Sequence, residues 1–502
     1  MKSTSAATTQ PDSQQRWDFS ADVVVLGYGG AGAVAAISAH DLGATTLILE
    51  KQERSRHISN TQLSLGAILF PQTEADAVAL MNVAGRLNVE RPETLDIDQE
   101  VIAAWARYAA SNAEWLMKLG AYGFAPMSEP GRKADWPGLV SMEVNHLAGP
   151  SGERLYGDRL FAFLDRSVMA RAIDVIWGAP ASALIQDDRG QAIGVRAASD
   201  GGPIAVRAKR AVILACGGFE HNDRLLRTYL PIAPLAVGGN PANTGDGLRM
   251  AQEIGADLWH MAVMNGSLKM KFPDFPIAFE ENFSPGGFIA VDRSGRRFKA
   301  ENQLIGYSEF WSALYYDTSS YVWPRIPVHY VFDEKRRCAG PIVFTEFGAA
   351  GPLGLYSWSA DNSAEIRLGW IECGDTLESL ARKIGVNGPN LKDEVERFND
   401  AARSGSDCPL GRPASSIAPI DTPPFYAVAL WPGLNNTFGG PRRNASAQVA
   451  HVSGAIIPRL YCAGELGSIF VNYPQSGANL SECIAFGRIA GENAAREEPW
   501  TS

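Results

Sequence analysis

Cysteine is scarce in this sequence. Six thiols (Cys216, Cys338, Cys373, Cys408, Cys462 and Cys483) lie scattered through 502 residues, with no C-x-x-C pair and no zinc-ligand spacing. That pattern excludes a disulfide framework and a clustered metal site, and the absence of C-x-x-C-H excludes covalent haem. The thiols read as reduced and incidental. No apolar run reaches the roughly 18–20 residues of a membrane span. Residues 1–20 are polar and rich in Ser, Thr and Gln. They lack the apolar core of a secretory signal and read as a disordered tail. Basic residues are also in deficit: 45 Lys and Arg against 55 Asp and Glu leave a formal charge of −10, which argues against nucleic acid as a partner. These absences predict a cytoplasmic enzyme of two or more domains, or of one domain with a large insertion.

Glycine, by contrast, is abundant, with 50 residues. The most informative glycines follow a short β-branched run, Asp22-Val23-Val24-Val25-Leu26, in the order Gly27-Tyr28-Gly29-Gly30-Ala31-Gly32. This G-x-G-x-x-G opens a small-residue helix pattern. Glycines there permit a tight turn and let backbone approach a pyrophosphate at a helix N-terminus, where unpaired N–H groups and the dipole favour an anion. A second strand, Thr45–Leu49, then delivers Glu50, placed to accept hydrogen bonds from a ribose diol. Strand, glycines, helix and acid in this order predict a dinucleotide site.

Further along, 59–67 form a Ser/Thr/Gly-rich loop suited to a phosphate or to ring heteroatoms. Residues 74–90 and 97–119 show helical spacing, and 122–152 read as irregular structure rich in Gly, Pro and Trp. A helix over 159–173 and strands at 183–187, 192–197 and 204–207 lead to the buried strand Ala211–Cys216, which runs into Gly217-Gly218. Asn243-Thr244-Gly245-Asp246-Gly247 opens another helix, which Asp246 could simply cap. From 258 to 432 Trp, Pro and Tyr become frequent and a separate lobe is expected, with strands Gly287–Val291 and Arg296–Phe298 joined by a turn and a helical hairpin at 376–404. The chain closes on Leu460-Tyr461-Cys462-Ala463-Gly464-Glu465, a loop, and a helix from Asn479 through Ala495. That repeats the opening pattern and returns the chain to the first domain.

Taken together, Gly27–Gly32, Asn60-Thr61 with Ser64 and Gly66, Ala215–Phe219, Asn243–Gly247, Gly295–Phe298, Gly439-Gly440 and Ala463-Gly464-Glu465 resemble the FAD-dependent fumarate reductase and 3-ketosteroid dehydrogenase superfamily, over nearly the whole chain. The resemblance implies an α/β flavoprotein. A Rossmann-like FAD-binding domain of the glutathione-reductase type would come from 21–257 and 433–502, with an inserted α+β capping domain over 258–432. It implies that FAD is held by Gly27, Gly29, Gly30, Ala31 and Gly32, by Glu50 and Lys51, and by Asn60, Thr61, Ser64, Gly66 and Ala67. Ala181, Ala215, Gly217, Asn243 and Asp246 follow, then Glu465, Ser476, Asn479 and Leu480 near the end. Some relatives attach flavin through a histidine in the segment matching Ser59-Asn60-Thr61. Asn60 stands there, so a noncovalent flavin is expected.

The same resemblance separates two branches. Fumarate reductases grip a dicarboxylate with arginines and histidines, because charge-assisted bidentate contacts suit carboxylates. At the matching positions this chain has Ile305, Gln475 and Asn435-Asn436. Its final loop, Asn472-Tyr473-Pro474-Gln475-Ser476-Gly477, is instead similar to the Tyr-Pro-x-x-Gly of 3-ketosteroid 1-dehydrogenases. There the tyrosine hydroxyl and glycine N–H hold the substrate ketone where enolate charge develops. Tyr473 and Gly477 take those places. The base of that family is a capping-domain tyrosine; Tyr307 is the candidate here, with Tyr315, Tyr316 and Tyr122 behind it. A phenol titrates near ~10 and needs depression to serve as a base. The expected substrate is a small apolar ketone, steroid-like or otherwise cyclic, with a separate electron carrier or acceptor as partner. A second reading is reduction of an unsaturated carboxylic acid held by Arg442 or Arg325 with Gln475 or Ser476. A third is a flavin-binding relative without turnover.

Overall fold

The computed structural model describes residues 15–84, 98–127, 142–232, 234–283, 287–301, 306–408, 410–471 and 476–500, with the side chains of 306–309 left out. The core begins with β1 (Phe19–Leu26), whose Val23-Val24-Val25 are fully buried on both faces, as a central parallel strand requires. β1 is flanked by β2 (Thr46–Leu49) and by the long strand Gly202–Leu214, both parallel to it. The sheet continues outward in parallel to Asp174–Ile176 on one side and Ile456–Cys462 on the other. Antiparallel strands Ala181–Gln186, Ala192–Ser199 and Gln448–Ala450 complete it.

Helix α1 (Gly30–Asp41) follows β1 directly, and its alanine-rich surface is buried almost throughout. It packs against the closing helix Ala478–Arg496 on one face of the sheet. Each buried Val or Ile at that contact contributes roughly 1.5–3 kcal/mol. Both chain ends therefore build the same sheet and the same helix pair.

A second sheet runs in the order Phe279–Glu280, Leu268–Met270, Phe425–Leu434, Val328–Asp333, Phe288–Val291, with Glu372–Gly374 and Ala236–Val237 added to Phe425–Leu434. One face carries an aromatic cluster that includes Phe279, Phe283, Phe288, Tyr330 and Trp358. The helices Leu377–Ile384 and Gly388–Ser404 cover the other, burying Leu380, Leu391 and Phe398. Ala236–Val237 joins this sheet although the change of sequence texture comes only at 258.

Two local expectations are corrected. The helical stretch 97–119 is two helices, Gln99–Ala110 and Asn112–Lys118, divided at Ser111. Of the helical stretch 74–90, Glu74–Ala84 is helix and 85–90 lie outside the described residues. Arg296–Phe298 is not a strand: a single bridge joins Arg297 to Val291. Burial of Arg297 against Glu301 sets that segment, with Arg412 on the same carboxylate. Among the described residues, no helix is long and apolar enough to cross a membrane.

Candidate active site

A cavity of about 330 Å³ runs from the C-terminal ends of β1 and β2 to the edge of the second sheet. Its first wall is the β1–α1 turn. Gly27 has φ +98°, and a Cβ there would lie 2.4 Å from the Ala215 carbonyl oxygen, so only glycine fits. The N-terminus of α1 opens on the cavity with no side-chain cap, while Thr61 Oγ1 accepts from Gly30 N at 2.9 Å. Such a terminus suits an anion. Glu50, 5% exposed, is fixed by accepting from Tyr28 N and Gln52 N, each at 2.9 Å. His57 stands 4.0 Å from it; burial lowers the ring's pKa, and the Glu50 charge opposes that. Next to Glu50, Lys51 is tied to Asp246 at 2.6 Å and to Thr244. Asp246 is in the first turn of its helix, whose cap is the left-handed Gly245.

At the middle of the cavity is a carboxyl pair, of which Glu465 lines the space and Glu220 is buried behind it. Asn60 Nδ2 donates to Glu220 Oε1 at 2.7 Å and to Glu465 Oε1 at 2.8 Å; Asn243 Nδ2 donates to the same two oxygens at 2.7 and 3.0 Å. Asn60 Oδ1 accepts from Asn240 N, which fixes that amide's orientation. Glu220 is fully buried, and burial pushes it up to about 7. Glu465 rises well above the carboxylate range, first through burial and then through the Glu220 charge. Burial, and for Glu465 the second charge, thus favour the protonated form of both carboxyls, against the amide bonds they share.

The far wall comes from the second sheet and the returning chain. Asn265, Gly266, Ser267, Glu280 and Phe347 face Asn435, Asn436, Ser476, Gly477 and Asn479. Ser267 Oγ donates to Glu280 Oε1 at 3.0 Å, and Glu280 pairs with Lys269, which is 1% exposed. Burial lowers Lys269 to about 7, and the charge of Glu281 opposes it. Gly477, at φ +81°, caps the closing helix, and its carbonyl accepts from Leu69 N. A Cβ there would meet Leu69 N at 2.7 Å.

Of the residues expected to bind cofactor, Gly27, Gly29, Gly30, Ala31, Glu50 and Lys51 line this cavity. So do Asn60, Thr61, Ser64, Gly66, Ala67, Ala181, Ala215, Gly217, Asn243, Asp246, Glu465, Ser476, Asn479 and Leu480. Gly32 does not; a Cβ there would lie 2.1 Å from the Gly27 carbonyl oxygen, so it is the contact of helix with turn. Tyr473 and Gln475 lie outside the described residues, as does the Tyr307 side chain on helix Gly306–Ala313. Tyr122, Tyr315 and Tyr316 are exposed and do not line the cavity. Nor do the arginines considered for a carboxylate. Arg325 donates to Ser312 O and lies over Phe298 and Tyr315, and Arg442 pairs with Asp257 and lies over Trp259. The sequence reading passed over Glu220, Asn265, Ser267, Lys269 and Glu280. A lysine inside the apolar strand Leu268–Met270 was the one visible signal.

The FAD binding domain family matches this chain over residues 22–480. Digoxin reductase of Eggerthella lenta is 27% identical, covering 96% of this chain and 88% of its own. A fumarate reductase (cytochrome) of Shewanella frigidimarina is 26% identical over 95% of this chain and 77% of its own. The fold is shared with the 3-ketosteroid Δ1-dehydrogenase of Sterolibacterium denitrificans, solved with 1,4-androstadiene-3,17-dione, at a TM-score of 0.79, 22% identity and coverage of 95% and 99%. A glycine turn, an open helix N-terminus and a fixed acid at the end of β2 fit the diphosphate and ribose of the dinucleotide such proteins carry. The chain belongs to the FAD binding domain family, within the fumarate reductase and ketosteroid dehydrogenase superfamily, and is an FAD-dependent oxidoreductase acting on CH–CH bonds.

Proposed function

We propose that the protein oxidises or reduces a CH–CH bond adjacent to a ketone in a cyclic, steroid-like substrate. The observation that carries this reading is the chemistry of the far wall. Among the described residues the cavity's only Lys or Arg is Lys51, beside Glu50 and already paired with Asp246, while the polar groups of the far wall are amides, the hydroxyls of Ser267 and Ser476 and the carboxylate of Glu280. A carboxylate substrate needs a cation, bidentate where possible; a ketone needs neutral donors. The ketosteroid dehydrogenase of the same fold carries a steroid dione in its structure, which supports the same direction.

FAD, held without a covalent link at Asn60, would supply a two-electron acceptor or donor for hydride. The chain's own residues do the rest. Glu50 and the β1–α1 turn would hold the ribose and diphosphate, and the Asn60–Asn243 clamp fixes Glu465 in the cavity lining. Gly477 N–H and the Tyr473 hydroxyl polarise the ketone oxygen, which acidifies the neighbouring C–H, and Tyr307 exchanges that proton. Electrons pass to or from a separate carrier in the cytoplasm.

The test is anaerobic. Purified holoenzyme is mixed with saturated 3-keto steroids and simpler cyclic ketones while oxidised-flavin absorbance is followed. Bleaching by a ketone, reduced about 10²–10³-fold by Tyr473→Phe, is the expected result for loss of one donor at the oxyanion. If ketones leave the flavin oxidised and dithionite-reduced enzyme is reoxidised by an unsaturated acid, the reading is overturned.

A further inference from the structure

Three asparagines on the far wall have polar atoms that no group among the described residues answers. Asn265 and Asn436 lie directly opposite each other in the antiparallel pair Met264–Asn265 with Asn436–Thr437, and are 8% and 4% exposed. Side chains at such a position project from one face with Cβ atoms roughly 4.5–5.5 Å apart. Asn479, in the first turn of the closing helix, donates through Nδ2 to Asn436 Oδ1 at 3.0 Å. That bond joins the two amides and leaves Asn436 Nδ2 over. Asn265 Oδ1, Asn436 Nδ2 and Asn479 Oδ1 are all buried, all on cavity-lining residues, and all without a hydrogen-bond partner among the described residues. Each such atom costs about 1–3 kcal/mol if it stays unanswered. Three of them on one wall describe a ligand edge.

We propose that Asn265, Asn436 and Asn479 determine specificity by binding a substrate carbonyl together with a hydroxyl or N–H group beside it. The inference rests on the ketone reading and narrows it. Asn436 Nδ2 donates to the carbonyl oxygen. Asn265 Oδ1 and Asn479 Oδ1 accept from the adjacent donor. A carboxylate has acceptors only and would set its oxygens against two amide oxygens. A plain ketone would satisfy Asn436 and strand the other two. Ser267, the neighbouring hydroxyl, is already committed to Glu280 and does not supply the missing donor. A hydroxyketone, or a lactam that places C=O beside N–H, answers both kinds of atom. A site built to bind O–H or N–H rejects an analogue lacking it far more strongly than an apolar pocket can.

The pyrimidine edge of FAD also sets C=O beside N–H, so FAD affinity is measured in the same experiment. Holoenzyme is titrated with a cyclic α-hydroxyketone and with the matching ketone lacking the hydroxyl, dissociation constants coming from flavin absorbance or from saturation of the bleaching rate. The expected result is about 100-fold tighter binding of the hydroxyketone, falling to about threefold or less in Asn265→Leu and Asn436→Leu. Asn265→Ala keeps the Asn436–Asn479 bond and gives the same collapse should the leucine variants fail to fold. Equal binding of the two ketones by the parent overturns this inference alone. Binding of neither overturns it together with the ketone reading. Variants that lose FAD affinity tenfold or more while keeping the hydroxyketone preference assign the asparagines to the cofactor, and overturn it too.

Discussion

Replacing Glu220 with glutamine tests the buried carboxyl pair. Glu220 has no exposed surface, and its pKa rises from 4.5 to about 7, chiefly through burial, against the bonds from Asn60 and Asn243. A carboxyl whose folded pKa exceeds its unfolded one binds more protons in the folded state between those values. Folding stability then falls as pH rises from about 4.5 to about 7. At about 1.36 kcal/mol per pKa unit, the loss attributable to Glu220 is about 3 kcal/mol. Glu220→Gln keeps the shape and the Oε1 acceptor but removes the titration. Its new NH₂ replaces Oε2, which has no partner, and the cost of that is independent of pH. The slope is therefore the readout. In melting curves of the apoprotein from pH 5 to 8, the parent should lose stability relative to the variant by about 3 kcal/mol. For a chain of this length, with unfolding entropy near ~2.1 cal/mol/K per residue, that is about 3 °C in Tm. Because Glu465 is coupled to Glu220, its own titration shifts toward the ordinary carboxylate range in the variant. Parallel melting profiles for parent and variant would refute the upward shift of Glu220.

Two further substitutions follow from geometry. Gly27→Ala places a methyl 2.4 Å from the Ala215 carbonyl at φ +98°; the purified variant should be colourless and destabilised by about 3 kcal/mol or more, read from bound flavin and chemical denaturation. Glu301→Gln removes the buried carboxylate that Arg297 and Arg412 share; it should cost about 3–5 kcal/mol, the scale for breaking a buried ion pair from one side, and an unchanged denaturation midpoint would contradict that pairing.

What the sequence determined by itself is local. Gly27, the glycines after it and Glu50 were legible because a tight turn, a close helix and an acid at a strand end are short-range requirements, each met within about 25 residues. The same is true of the helix pair at 376–404, whose caps Thr376 and Asn387 and left-handed Gly385 and Gly405 are written in adjacent residues. Even the local reading failed where burial overrode it. Arg296–Phe298 looks like a strand, but satisfying a buried Arg297 on Glu301 takes precedence over ladder hydrogen bonds.

What only the tertiary structure decided is which distant side chains meet. Asn60 opens the short helix Asn60–Leu63 while Glu220, Asn243 and Glu465 come from three separate loops, and nothing in any one of these segments requires a second carboxyl. Asn265, Asn436 and Asn479 become one wall because a two-residue strand pair and a helix terminus converge. Lys269 reads as a misplaced charge in an apolar strand until Glu280 is seen beside it. Backbone constraints are encoded by neighbours in sequence. The desolvation and pairing of polar groups depend on what the whole fold brings around them, and the specificity of this cavity rests on that second kind of information.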